Sequence, residues 1–428
     1  MNKLQDLLGS QNLSVFLSHY WAKKSVYIAG DSLRFQSLFS WNHLNDLLNY
    51  QTFRESELRF SRDGESLPAG DHPTLWRSRL QEGATLVMNG VHHRVPALKH
   101  LATNLRQEFG YRCHINLYSS PAQQQGFDCH YDTHDVLILQ IEGEKEWLIY
   151  PETLPYPTAD QPSYDRLPPE EPPYLQQVLS PGDLLYIPRG HWHYAIAQET
   201  ASLHLTIGIH TATGLDWVNW LQQQLRDQPH WRQGLPLAGS CSFDPLKLRG
   251  HLESLRDQLI TYLQEPQAID DYLQYLSWQD QPHLPIQLPL QLHGDPLAQG
   301  LLGKFIWSPL HSLQWQAEDD QIKVLIGSKQ MVFKGLPISL AMRLFSCRQF
   351  TLMDLGDWAP DLDFESAIAP LLQKLILAGI LFVEADQDAE VSEVSSLAEV
   401  SKAPTAGGTV IIQPDDVRER SPIPKLYT

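Results

Sequence analysis

Hydrophobic positions along this chain change their spacing more than once, and each change marks a different kind of structure. From Leu13 to about Pro96, helical patches such as SVFLSHYWAKK alternate with polar connections, and the strand-like SVYIA follows the first of them. This predicts a helical lead-in. Between about Cys113 and His210 the apolar runs become short and rich in β-branched and aromatic residues: HINLY, DVLILQI, KEWLIY, DLLYIP and LHLTIGI. Turn segments separate them (SSPAQQQG, EGE, SPGD, PRG), and strands so closely spaced predict an all-β sandwich or barrel rather than alternating strands and helices.

After Gly214 helical spacing returns in WVNWLQQQL and LRGHLESLRDQLITYLQ, which predicts a helical domain over 215–300. Two strand-like runs, IKVLIG and KQMVF, then precede the helical ISLAMRLFSC and SAIAPLLQKLILAG and a closing ILFVE. A small α+β unit over 301–384 fits that order. Beyond Phe382 six acids, Glu384, Asp386, Asp388, Glu390, Glu393 and Glu399, precede any base, and Ser, Gly and Pro follow. That composition predicts a disordered acidic tail over 385–428.

Composition narrows the function. The 428 residues, 42% hydrophobic, suffice for several globular domains. No apolar run reaches the ~18 residues of a membrane span, and the N-terminus lacks the basic-then-apolar pattern of an export signal, so the expectation is a cytoplasmic protein without a membrane partner. Four scattered cysteines, Cys113, Cys129, Cys241 and Cys347, signal neither a disulfide framework nor a thiolate zinc site. A formal charge of −18, from 50 acids against 32 bases, opposes nucleic acid and favours a basic protein or peptide partner.

The chemistry is concentrated in GFDCHYDTHDVLILQIEGEKEWLIY. His130 and Asp132 stand two apart at the mouth of an expected strand, where alternation places both on one face, with Cα atoms roughly 6–7 Å apart. A second imidazole would come from PGDLLYIPRGHWHYAI, where His191 and His193 are again two apart, and spacing alone leaves either as the third ligand. Two histidines and one carboxylate on one face of an octahedron leave three positions open, the arrangement of non-haem Fe(II) oxygenases. A structural zinc site would be closed by four ligands.

The stretch NLYSSPAQQQGFDCHYDTHDVLILQIEGEKEWLIY, with LLYIPRGHWHYA and SLHLTIGI, resembles the JmjC domain of the ribosomal oxygenase (cupin-4) family. FLSHYWAKKSVYI resembles that family's N-terminal aromatic-Trp-Lys-Lys segment, and the resemblance runs over about residues 10–384. It implies an α+β fold: a double-stranded β-helix (cupin/JmjC) core with N-terminal helices over 1–214, a helical dimerisation domain over 215–300 and a winged-helix-like domain over 301–384. It makes His130, Asp132 and His193 the ligands of Fe(II), leaves His191 as a rim or substrate-contact neighbour, and sets Lys145 against the distal carboxylate of 2-oxoglutarate. Asn116 and Thr206 take the polar contacts near the cosubstrate, Tyr118 lines the same face as Asn116, and Tyr131 and His204 are wall or core residues.

The implied reaction converts 2-oxoglutarate to succinate and CO2 while hydroxylating an Arg or His side chain of a ribosomal protein, with the enzyme a homodimer. The chain departs from the family pattern in the SSPAQQQ loop and at Thr133, both at the barrel mouth, where substrate is chosen. Hydroxylation of a peptide natural product or other small polypeptide is therefore the alternative within the class. A metal-binding cupin that does not use 2-oxoglutarate is the alternative outside it, and Lys145 discriminates the two. DNA binding by the C-terminal unit is disfavoured, because ISLAMRLFSCRQF and LLQKLILAG carry few bases.

Overall fold

The computed structural model describes residues 3–384, apart from short gaps at 10, 69, 71, 237–243, 279–284, 294, 298–299, 309, 312, 319–320 and 327–328, together with 418–419. The tail expected to be disordered falls, but for two residues, outside those described. The chain divides into two compact units, Met1–Gln279 and Asp280–Thr428.

Among the described residues of the first unit, eleven strands form two antiparallel sheets. They are β1 (Val26–Ile28), β2 (Leu58–Arg62), β3 (Glu65–Pro68), β4 (Thr85–Met88), β5 (Arg112–Ser120), β6 (Asp135–Glu142), β7 (Lys145–Glu152), β8 (Leu175–Leu179), β9 (Leu184–Ile187), β10 (His191–Ala197) and β11 (Ser202–His210). The larger sheet has the order β1-β9-β6-β11-β5-β4-β2-β3, and the smaller the order β10-β7-β8. The strand-like SVYIA thus becomes an edge strand, with Val26, Tyr27 and Ile28 opposite Tyr186, Leu185 and Leu184.

Alternation along the central strands explains why DVLILQI reads as a continuous apolar run. Leu137, Leu139 and Ile141 of β6, with Leu184 and Tyr186 of β9, join an outer core that also takes Leu98, Leu101 and Leu105 from a helix. Val136 and Ile138, with Leu185 and Ile187, turn the other way and pack on Trp147, Ile149 and Leu179 of the smaller sheet. A strand buried on both faces has no solvated side to carry polar residues. The helix on the outer face is Pro96–Phe109, which begins with Pro at its first turn and ends at Gly110 in the left-handed region, φ 71°.

β5 and β11 follow the same rule at the edge of the inner core. Ile115 and Leu117, and Leu203, Leu205, Ile207 and Ile209, are buried outward. In the β5–β11 register Tyr118, Asn116 and His114 stand opposite His204, Thr206 and Gly208. Thr206 and Gly208 in turn stand opposite Ile138 and Val136 of β6. Residues directly opposite one another share a face, so this polar stripe lines the space between the sheets.

Among the described residues of this unit, three α-helices follow β11: Gly214–Arg226, Pro245–Gln264 and Pro266–Trp278. The first is opened by a capping box in which Thr213 and Asp216 satisfy each other's backbone N–H. The helical stretch expected over 215–300 is divided by the boundary between units, since residues from Asp280 onward belong to the second. That unit is α+β: a three-stranded antiparallel sheet of Phe305–Trp307, Gln349–Phe350 and Leu381–Val383, a four-stranded antiparallel sheet of Leu313–Glu318, Gln321–Ile326, Lys329–Lys334 and Arg418–Glu419, and, among its helices, Ile338–Ser346, Leu352–Trp358 and Ala369–Leu377. Among the described residues no helix is long and apolar enough to cross a membrane.

Leu137 is fully buried between helix and sheet. Leu137→Ala is expected to cost ~2–5 kcal/mol in urea unfolding. Gln176→Ala, on an exposed side chain, should change stability by less than ~0.5 kcal/mol.

Candidate metal centre

The segment before β6 runs beside β10, and reciprocal backbone hydrogen bonds join them: His130 N to His193 O at 3.0 Å and His193 N to His130 O at 2.7 Å. His130 and Asp132 therefore do not lie on a regular strand; His130 sits in an isolated bridge and β6 begins only at Asp135. The result still brings His130, Asp132 and His193 together, with one ligand atom from each within 4.8 Å of the others. His193 Nε2 is 3.8 Å from an Asp132 carboxylate oxygen.

Both imidazoles are oriented through their other nitrogen. His130 Nδ1–H donates to the Asp128 carbonyl at 2.7 Å, and His193 Nδ1–H to the His191 carbonyl at 3.0 Å. A carbonyl only accepts, so each Nδ1 carries the proton and each Nε2 keeps its lone pair for a cation. Burial pushes the His193 imidazole down to about 4, with the His130 ring adding to the effect, so it is neutral at physiological pH. At Asp132 burial works upward, but the imidazoles of His134, His193, His130 and His114 outweigh it and hold the carboxyl below its usual range. Neutral imidazoles and an ionised carboxylate are the forms that ligate a metal, so this donor set fits a divalent ion.

His191 does not share this site. A register shift lies between His191 and His193 in the β10–β7 pairing, which breaks the simple alternation expected of residues two apart. His191 is buried, and its Nδ1 is 2.7 Å from the Tyr174 hydroxyl. This corrects the solvated-rim reading of His191, which is packed against Tyr174. Tyr131 is a wall residue, its hydroxyl donating to the Gln161 carbonyl at 2.8 Å and its ring edge-on to Trp192.

Lys145, the first residue of β7, points into the inner space and is 4% exposed. Its ammonium donates to Ser120 Oγ at 2.8 Å, which is 2.9 Å from Thr85 Oγ1. Among the described residues no carboxylate pairs with it, and burial pushes it down to about 7. His204, also buried, stacks on Tyr118 with ring centroids 4.9 Å apart. Trp147 bridges the two ends of the site: its ring lies 5.5 Å from that of His204 and 6.0 Å from that of His193. Asn116 accepts from Gly90 N–H at 2.9 Å and is hydrogen-bonded to Tyr118. Burial, with the Asp132 charge, pushes the Tyr118 phenol up to about 12, so it stays protonated. Thr206 faces Asn116 across the β5–β11 pair.

Ser120, Thr85 and Trp147 carried no motif to single them out, though Ser120 lies two residues from Tyr118 on the same strand and Trp147 two from Lys145. The same stride of two leads from Asn116 to His114 and from Asp132 to His134.

Residues 93–216 match the JmjC domain model. Among curated relatives, the bifunctional lysine-specific demethylase and histidyl-hydroxylase NO66 of Drosophila pseudoobscura pseudoobscura is 32% identical over 220 residues, covering 48% of this chain and 22% of that protein. Ribosomal oxygenase 1 of Rattus norvegicus is 29% identical over 240 residues, covering 52% of this chain and 40% of that protein. The chain thus spans less than half the length of these relatives. The crystal structure of E. coli ycfD aligns with a TM-score of 0.58 at 19% identity, covering 88% of this chain and 99% of that one. YcfD in complex with cobalt and 2-oxoglutarate aligns with a TM-score of 0.56 at the same identity and coverage. Residues 93–216 are therefore a JmjC domain, carried in a cupin fold shared with the ribosomal oxygenase YcfD.

Proposed function

We propose that this chain is an Fe(II)- and 2-oxoglutarate-dependent protein hydroxylase in which His130, Asp132 and His193 hold the metal and Lys145 anchors the distal carboxylate of 2-oxoglutarate. The observation that carries this reading is Lys145: a buried lysine whose ammonium donates to the Ser120 hydroxyl, on the inner face where Trp147 packs between His204 and His193, one of the two imidazoles that turn Nε2 toward a cation. An ammonium in such a place is costly unless a ligand brings the opposite charge. A cupin that used only the metal would have no use for it. Cobalt and 2-oxoglutarate bound together in YcfD support the pairing.

The iron, when bound, would supply the activation of dioxygen with the keto acid. The chain's own residues do the rest. The Asp128 and His191 carbonyls fix the two imidazoles, Ser120 and Thr85 orient the Lys145 ammonium, and Trp147 with the Tyr118–His204 stack forms an aromatic wall beside the space between them. Asn116 and Thr206 are the polar contacts nearest the cosubstrate in this reading.

The substrate we infer is a basic ribosomal protein, hydroxylated on an Arg or His side chain, which the charge of −18 would attract. The names of the NO66 and ribosomal oxygenase relatives support that class. The same reading includes cytoplasmic location, a winged-helix-like role for the second unit without nucleic acid, and a homodimer formed through the helices after β11. Exposed Leu246, Leu252, Ile260, Ile269 and Leu273 on two of those helices support such an interface.

His130→Ala and Asp132→Ala should each abolish substrate-linked succinate formation, and undiminished turnover in both would remove the assignment. Lys145→Ala should raise the 2-oxoglutarate concentration for half-maximal turnover about tenfold or more; an unchanged requirement would leave only the metal-binding reading. Mass spectrometry of ribosomal proteins from a deletion strain should show loss of a hydroxylation mass shift, whereas retention of every such shift argues for a peptide substrate. Light scattering should report a dimer.

Lys145 also predicts a pH dependence. Its folded value of about 7 lies below the ordinary 10.5, so between those values the unfolded chain holds a proton that the folded one lacks. Stability without cosubstrate should then rise with pH across that window, by at most about 1.4 kcal/mol per pH unit. Below it the full cost of charging the buried amine remains. Lys145→Met should flatten the slope in denaturation curves taken between pH 7 and about 10.

A further inference from the structure

Apart from the His130–Asp132–His193 set, the described residues hold one other group of three side chains with ligand atoms all within 4.8 Å of one another: His114, His134 and His210. They come from three separate pieces of chain. His114 is on β5, His210 ends β11, and His134 immediately precedes β6, so the β5–β11–β6 pairing is what assembles them. His210 Nε2 lies 2.9 Å from His114 Nδ1, and the His134 ring centroid is 4.6 Å from that of His210 and 5.1 Å from that of His114.

Gly208 makes room for them. A Cβ there would come within 2.1 Å of His114 Cε1 and 2.7 Å of His134 Cδ2, so any other residue would drive the two rings apart. Each of the three is half-buried, leaving one side of the group open to water or a ligand. The group stands at the end of β5 opposite Ser120, and therefore at the opposite end of the inner face from Lys145.

Ring stacking alone would account for aromatic side chains at these positions. It does not account for three imidazoles, nor does the hydrogen bond between His210 Nε2 and His114 Nδ1 account for the third of them, His134, whose ligand nitrogen lies within 4.8 Å of one from each of the other two. We propose that His114, His134 and His210 form a second metal site, taking a late first-row dication such as Zn2+ with at least one coordination position left open. Three imidazoles and no thiolate or carboxylate suit zinc, copper or nickel rather than magnesium or calcium. With metal–nitrogen bonds of about 2.0–2.1 Å, tetrahedral ligand nitrogens lie roughly 3.3 Å apart, so the metal would replace the His114–His210 hydrogen bond, with its proton moving to another ring nitrogen, and the pair would open slightly. Burial pushes His114 down to about 3 and lowers His210 as well, which keeps both in the neutral form that binds metal. This site is independent of the reading given to the first centre.

The test uses the full chain, stripped by chelator and titrated with Co2+, with visible absorption and elemental analysis as readouts. A His130→Ala/His193→Ala variant should retain one equivalent that Zn2+ displaces, and adding His210→Ala should abolish it. Absence of metal from the double variant, or retention undiminished after His210→Ala, would overturn the proposal. If the double variant loses its native circular dichroism, His114→Asn/His210→Asn on the otherwise native chain decides, since unchanged stoichiometry there also overturns it. Failure of the first centre reads differently: the count would not fall on His130→Ala alone.

Discussion

Two backbone hydrogen bonds between His130 and His193 hold the centre together, and the rest of the site is arranged around them. They tie an irregular segment ahead of β6 to a strand that arrives much later in the chain. Because the link is made by main chain, it places the side chains without using their polar atoms. The imidazoles remain free to give Nδ1–H to nearby carbonyls and to turn Nε2 toward Asp132. A side-chain tether would have consumed the groups that a cation needs.

The central strands β6 and β9 serve this junction by being apolar on both faces. The inner core of Val136, Ile138, Trp147, Ile149, Leu179, Leu185 and Ile187 lowers the local polarity, and its effect is seen in the groups embedded beside it. His193 is kept neutral, Tyr118 is kept protonated, and the Lys145 amine is pushed below its ordinary range. Asp132 is the exception, since the imidazoles around it outweigh burial and keep it ionised. The electrostatic character of the site is thus a product of packing as much as of the charged residues themselves.

The polar stripe of β5 and β11 gives the inner face a direction. Lys145, Ser120 and the Tyr118–His204 stack occupy one end, Asn116 and Thr206 the middle, and His114 and His210 the other end. An elongated cosubstrate anchored at the first end would meet the metal ligands partway along. Gly208 interrupts the stripe because two imidazoles occupy the volume its side chain would need.

Much of this was legible in the order of residues. Short apolar runs located β1, β5, β6, β7, β9 and β11, and the resemblance named His130, Asp132, His193 and Lys145, but β2, β3 and β4 lie in the stretch read as a helical lead-in, where they extend the larger sheet. Sequence periodicity reports which residues share a face of one element, and there it stopped. It treated His191 and His193 as equivalent, whereas the register shift in β10 sends one to Tyr174 and the other to Asp132. It gave no reason to join His114, His134 and His210, because their proximity depends on which strands pair and in what register. Local composition therefore determined the elements and the chemistry available to them, while convergence, burial and the protonation that burial imposes were decided only when the strands met.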